Sequence, residues 1–192
     1  MDEPDFLNIN DTQRIAYHKI DGQKPGIIFL CGHGSDMQGT KSIYMENWAR
    51  AQGHGFIRFD YRGHGESDGN FLDLAISDWT ADALAVIDHL TVGPQILVGS
   101  SLGGWIMLNA ACSRPERIAG LIGIAAAPDF TKELIWDTLD KDAQSAMKQT
   151  GFLSVPNPYA DEPVIYPYHL VEDGAGHLHL QGDTIKITAP VR

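Results

Sequence analysis

One stretch of the chain, residues 96–105 (ILVGSSLGGW), puts a serine where it could act as a nucleophile. Gly99, Ser100, Ser101, Leu102 and Gly103 fit the pattern G-x-S-x-G centred on Ser101. Ser100 does not fit, because Val98 and Leu102 stand where its glycines would be needed. The chemistry explains those glycines. A serine on a strained strand-to-helix turn exposes its Oγ, and flanking side chains there would collide with strand and helix. Gly99 and Gly103 remove the collisions, and Gly104 loosens packing further. The helix N-terminus at Ser101 favours developing negative charge.

Acyl transfer at such a serine needs two preorganised N–H donors for the oxyanion. The backbone N–H of Leu102, just after the serine, is expected to be one. The loop Gly32, His33, Gly34, Ser35, Asp36 follows an apolar run and offers the second. His33 N–H is the first choice and Gly34 N–H the alternative; the same residues also read as a simple glycine-rich turn. A further loop, residues 60–67 (DYRGHGES), gathers Asp60, Arg62, His64 and Ser67. Its glycines suit tight turns, and its polar residues read as a structural network that supports the fold more than it supplies chemistry. No phosphate loop, nucleotide motif or metal-ligand set is visible, so no cofactor and no metal are expected.

These residues need elements to hold them. Residues 3–9 and 13–20 alternate about Asn10 and Asp11 and predict a β-hairpin. Residues 26–31, 55–60, 95–99 and 118–126 are short apolar runs suited to strands buried on both faces. Helices are expected over 40–52, 76–90 and 102–113, where apolar residues recur at helical spacing. Strands alternating with helices predict an α/β fold, a mostly parallel sheet with helices on both faces. Residues 1–128 would form this core. After Pro128 the rhythm breaks: 129–149 read as helical, 151–168 are rich in Pro, Tyr and Asn, and 164–173 suggest a short helix. Residues 129–184 are therefore expected to be an inserted helical cap or lid, with 185–192 the start of a further core strand. Phe130, Trp136, Phe152 and Tyr159 could line an acyl pocket there, although packing explains such aromatics equally well.

Composition sets outer bounds. The chain has 192 residues, 43% of them hydrophobic, enough for a sizeable core. No apolar run approaches the roughly 18 residues of a membrane span. The net charge of −11 argues against nucleic acid and anionic membranes as partners. Cys31 and Cys112 lack metal or redox spacing and read as buried thiols. The acidic start MDEPDF fits neither a signal nor a transit peptide, which leaves a cytoplasmic setting as the expectation.

Three segments together resemble the α/β-hydrolase superfamily: LCGHG its oxyanion loop, FDYRGHGESDG its D-x-R-G-x-G-x-S loop, and VGSSLGG its nucleophile turn. FLCGHGSDMQGTK, RFDYRGHGESDG and GPQILVGSSLGGWIML are more similar still to its acyl-glucuronide esterase and palmitoyl-protein thioesterase branch, known from mitochondrial members and bacterial relatives. The resemblance runs from about residue 14 to 192 and implies hydrolysis of small-molecule acyl esters or thioesters through an acyl-enzyme on Ser101. It also implies the chain order Ser, acid, His. TAPVR resembles the approach to the acid-bearing strand, so the fold is expected to be C-terminally truncated, with acid and base beyond Arg192. Within the chain, His169, His177 and His179 are the histidines after Ser101, and Asp129 reads either as an orienting acid or as a helix N-cap. A catalytically silent binding protein is the alternative function. A lyase or peroxidase could use the same scaffold. An uncovered sheet edge would invite self-association.

Overall fold

A computed structural model describes residues 3–157 and 162–192. A hairpin of β1 (Asp5–Asn8) and β2 (Arg14–Ile20) opens the chain, followed by β3 (Gln23–Leu30), α1 (Thr40–Gln52) and β4 (His54–Phe59). Next come α2 (Ile76–Leu90), β5 (Gln95–Ser100), α3 (Leu102–Ser113) and β6 (Ile118–Ile124). The six strands form one sheet in the order β1-β2-β4-β3-β5-β6. Only β1–β2 and β2–β4 pair antiparallel; the pairs of β3 with β4, β3 with β5 and β5 with β6 are parallel.

The expected α/β core forms because its central strands are apolar on both faces. Ile28, Leu30 and Leu97 are buried on the side where α2 and α3 lie. Ile27, Ile96, Val98, Ile122 and Ile124 alternate with them and face α1, with Tyr44, Met45 and Trp48 across an open apolar groove of about 620 Å³. Helix α1 stops at Gly53, whose left-handed backbone (φ 73°) closes its last turn.

Beyond β6 the sequence reading needs revision. The expected helix over 129–149 is three pieces: a π-helical turn at Thr131–Ile135, a 3-10 turn at Trp136–Thr138 and α4 (Lys141–Thr150). Residues 151–168 contain a hairpin, β7 (Phe152–Val155) with β8 (Val164–Pro167). The helix expected from residue 164 begins only at α5 (Tyr168–Gly174), because residues 164–167 are committed to that hairpin. Residues 185–187 form no strand. Instead Val191 makes a parallel bridge to Leu121, with Leu121 N–H on Pro190 O, Arg192 N–H on Leu121 O and Gly123 N–H on Arg192 O. The outer edge of β6, expected to be bare, is thus covered around Leu121 and Gly123. Cys31 is buried as expected, but Cys112 is exposed, because it lies on the outward side of α3's last turn.

The excursion after β6 returns to where it began. The Asp129 carboxylate, fully buried, accepts His179 N–H at 2.8 and 3.0 Å and Leu180 N–H at 2.7 Å. Asp129 has φ 58°, a left-handed conformation that Asp tolerates better than most residues. Two further ties fix the excursion: Trp105 Nε1 donates to His177 O at 2.8 Å, and Ser77 N–H donates to Asp173 Oδ2 at 2.8 Å. Among the described residues no helix is long and apolar enough to cross a membrane.

Candidate active site

Ser101 sits between the end of β5 and the start of α3 with φ 53° and ψ −119°, a conformation that non-glycine residues rarely hold. It persists because the surrounding backbone determines it: Ser101 N–H donates to Ile124 O, and Ser101 O accepts from Gly104 and Ala127. The flanking glycines are needed for close approach. A Cβ on Gly99 would lie 2.4 Å from Gly103 O, and one on Gly103 would lie 2.1 Å from Leu30 O. Gly104 does more than loosen packing, since a Cβ there would meet Ala126 Cβ at 2.4 Å.

The side chain of Ser101 is exposed at the floor of a cleft of about 850 Å³. Leu102 occupies the first position of α3, where an N–H has no acceptor within the helix. The loop after β3 runs alongside: a Cβ on Gly32 would sit 3.4 Å from Ser101 Cβ. His33 and Gly34 both line the cleft. Their amides differ. Gly34 N–H donates to His64 Nε2 at 3.2 Å, whereas no acceptor among the described residues takes His33 N–H.

The loop of residues 60–67 braces this arrangement, in line with its structural reading. The buried Asp60 carboxylate accepts Met37 N–H at 2.6 Å and Glu66 N–H at 2.9 Å, tying the two loops together. Ser67 Oγ donates to Asp60 O and accepts from Ala16 N–H. Arg62 is clamped on Asp82 through its N–H at 2.8 Å and Nε at 2.7 Å. The His33 ring packs against Phe71, Trp79, Phe130 and Tyr166. Burial, with His64 nearby, pushes its pKa down to about 4.

Two of the three histidines after Ser101 contact other polar side chains. His169 is exposed on α5. His177 Nε2 contacts Ser77 Oγ at 2.8 Å, and His179 Nε2 contacts Asn109 Oδ1 at 2.6 Å. Burial lowers the His179 pKa. The Asp129 carboxylate makes no hydrogen bond to a histidine ring and caps no helix, because the backbone N–H groups of His179 and Leu180 occupy it; its charge acts on the His179 ring only through space.

Of the aromatics expected at an acyl pocket, Phe130 lines the cleft. Trp136 packs on Tyr168 instead, and Phe152 is 48% exposed. Tyr159 lies outside the described residues. Strand alternation explains Phe152: its neighbours Leu153 and Val155 take the inward face of β7. With Val164, Ile165 and Tyr166 they form a cleft wall that sequence reasoning missed. The signal was present, since two β-prone runs flank a Pro- and Asn-containing stretch.

Residues 27–169 match the alpha/beta hydrolase family, and the chain belongs to it. The relatives narrow the likeness. A rat protein named palmitoyl-protein thioesterase ABHD10, mitochondrial, is 42% identical over 97% of this chain. The chain spans 63% of that protein's length. The solved structure of mouse alpha/beta hydrolase domain-containing protein 10 has a TM-score of 0.91 at 40% identity, covering 100% of this chain and 76% of that one. A hydrolase from Agrobacterium vitis S4 has a TM-score of 0.90 at 37% identity, covering 98% of this chain and 76% of the other. The cytoplasmic setting expected from the N-terminus is corrected here. The rat, mouse and human relatives are all named mitochondrial.

Proposed function

We propose that this chain carries the acylation site of a serine hydrolase that cleaves carboxylic esters or thioesters. The observation that carries the reading is the strained, exposed Ser101 in an apolar-walled cleft that His33 also lines, with Leu102 next in the chain at the first position of α3. Ser101 Oγ bonds to the acyl carbon as its proton passes to a base. The carbonyl π pair moves onto oxygen, where the N–H groups of His33 and Leu102 stabilise it. Collapse expels the alcohol or thiol, which takes the proton, and water then releases the acid. The reaction requires a base other than His169, His177 and His179, given their partners and positions. Residues 129–184 act as the lid, with the β7–β8 hairpin as its inner wall. The names of the ABHD10 relatives support a thioester substrate with an apolar acyl chain.

The test is covalent labelling with a fluorophosphonate probe, read by mass spectrometry. An adduct on Ser101 that disappears in Ser101→Ala is expected. Absence of an adduct, or one that survives the substitution, would overturn the reading. The engagement of His177 and His179, with His169 exposed on α5, favours a second reading, a catalytically silent binding protein. Ester turnover by the chain that Ser101→Ala abolishes would rule that out. Self-association through β6 would require residues 190–192 to leave its edge. Sedimentation over a range of concentrations would detect it.

A further inference from the structure

The loop bearing His33 is held by a histidine from another part of the chain. Gly34 N–H donates to His64 Nε2 at 3.2 Å, and His64 Nδ1 lies 3.3 Å from Arg62 O. Together these contacts fix the ring's protons. A carbonyl oxygen only accepts, so Nδ1 carries the hydrogen. An amide N–H only donates, so Nε2 presents its lone pair. The opposite tautomer would set one N–H against another.

The ring is also fixed in place. It is buried, and it packs edge-on against Phe71, Trp79 and Tyr61 at centroid distances of 5.0, 5.3 and 5.6 Å. Behind it, Arg62 O also accepts from Trp79 Nε1 at 3.2 Å, and the Arg62 side chain is clamped on Asp82 in α2. A continuous set of contacts therefore runs from α2 through Arg62 and His64 to Gly34. Gly34 is the residue with positive φ (67°) in this loop, the point where the chain turns. Once its N–H is committed to His64, His33 is the one of the two candidate donors whose N–H has no protein acceptor among the described residues.

We propose that His64 is a positioning residue for acyl transfer: by accepting Gly34 N–H it sets the loop so that the His33 amide receives the substrate oxygen. This rests on the reading of Ser101 and its donors given above. His64 touches no reacting atom. It decides which of two adjacent amides is presented, and without its lone pair Gly34 N–H would be free to turn toward the cleft.

Two variants separate this role from packing. His64→Phe keeps an aromatic ring against Phe71 and Trp79 but removes the acceptor. His64→Gln places an amide oxygen near the position of Nε2. Fluorophosphonate labelling of Ser101 in the full chain is expected to slow about 10- to 100-fold in His64→Phe, less than the roughly 100- to 1000-fold loss when an oxyanion donor is removed outright. It should recover to within about threefold in His64→Gln. Thermal unfolding of each variant reads any packing loss separately. Nitrogen NMR of the wild-type ring, which needs no variant, should show a protonated Nδ1 and a bare Nε2 coupled to the Gly34 amide. A protonated Nε2 overturns the proposal. So does wild-type labelling in His64→Phe when Ser101→Ala labels not at all, and that outcome leaves the serine hydrolase reading standing. Labelling that survives Ser101→Ala removes that reading and this proposal together.

Discussion

Around Ser101 the chain packs backbone against backbone, whereas beyond Asp129 it is moored by side chains. Gly99, Gly103 and Gly104 let β3, β5, α3 and the chain after β6 touch with no room for a Cβ. The excursion from Asp129 to Leu180 is tied to the core through the Asp129 carboxylate, the Asp173 contact with α2 and the Trp105 bond to His177 O. The difference separates two demands. A nucleophile and its donors must be placed to within a fraction of an ångström. A cover over a substrate cleft needs fixed ends and an apolar inner face.

The sharpest way to break this contrast is Gly103→Ala. Its methyl group would meet the Leu30 carbonyl, so a loss of about 3 kcal/mol or more in denaturant unfolding is expected, with labelling of Ser101 lost as well. Acid probes the same region. The folded-state pKa of His33 is about 4, below its value in an unfolded chain near 6.5. The unfolded chain therefore binds the proton first as pH falls. The stabilisation is fully present above pH 6.5 and is lost as pH falls through about 4, a change of about 3 kcal/mol. Asp82, raised to about 6 chiefly by burial, acts with the opposite sign between roughly 3.8 and 6. NMR titration of the His33 ring isolates its own midpoint from that of Asp82.

On the other side of the contrast, Asp129→Ala strips the acceptor from two backbone N–H groups. About 2 kcal/mol of stability should be lost. Hydrogen exchange should accelerate at the His179 and Leu180 amides while the amides of β5 stay protected. The smallest effect is expected at Phe152→Ser. This half-exposed ring faces away from the cleft, so stability should change by less than about 0.5 kcal/mol and labelling not at all.

The same contrast governs what could be read from the residues alone. Buried parallel strands need continuous apolar runs, so residues 26–31 and 95–99 declared their strands, and the need for close approach declared Gly99 and Gly103. In the excursion the hairpin of Leu153, Val155, Val164 and Ile165 was obscured because its strands are only four residues each. Asp129 was read as an acid or a cap, since nothing local to it reveals that residues 179 and 180 return to it. The His64 contact with Gly34 spans 30 positions and depends on a ring tautomer, which residue order does not encode.

The Asp129 carboxylate has one more consequence. Because both ends of the excursion meet there, the chain between them is a closed loop, and its length enters the free energy only logarithmically. Doubling such a loop costs about 0.6 kcal/mol. Added length in its exposed turns can therefore accumulate at little entropic cost, provided Ile135, Met147, Leu170 and Val171 keep their buried places and Asp173 its contact with Ser77, while a methyl group at Gly103 would meet the Leu30 carbonyl. Under mutation, the exposed turns of the excursion are free to change length, whereas the glycine contacts beneath Ser101 are not free to change at all.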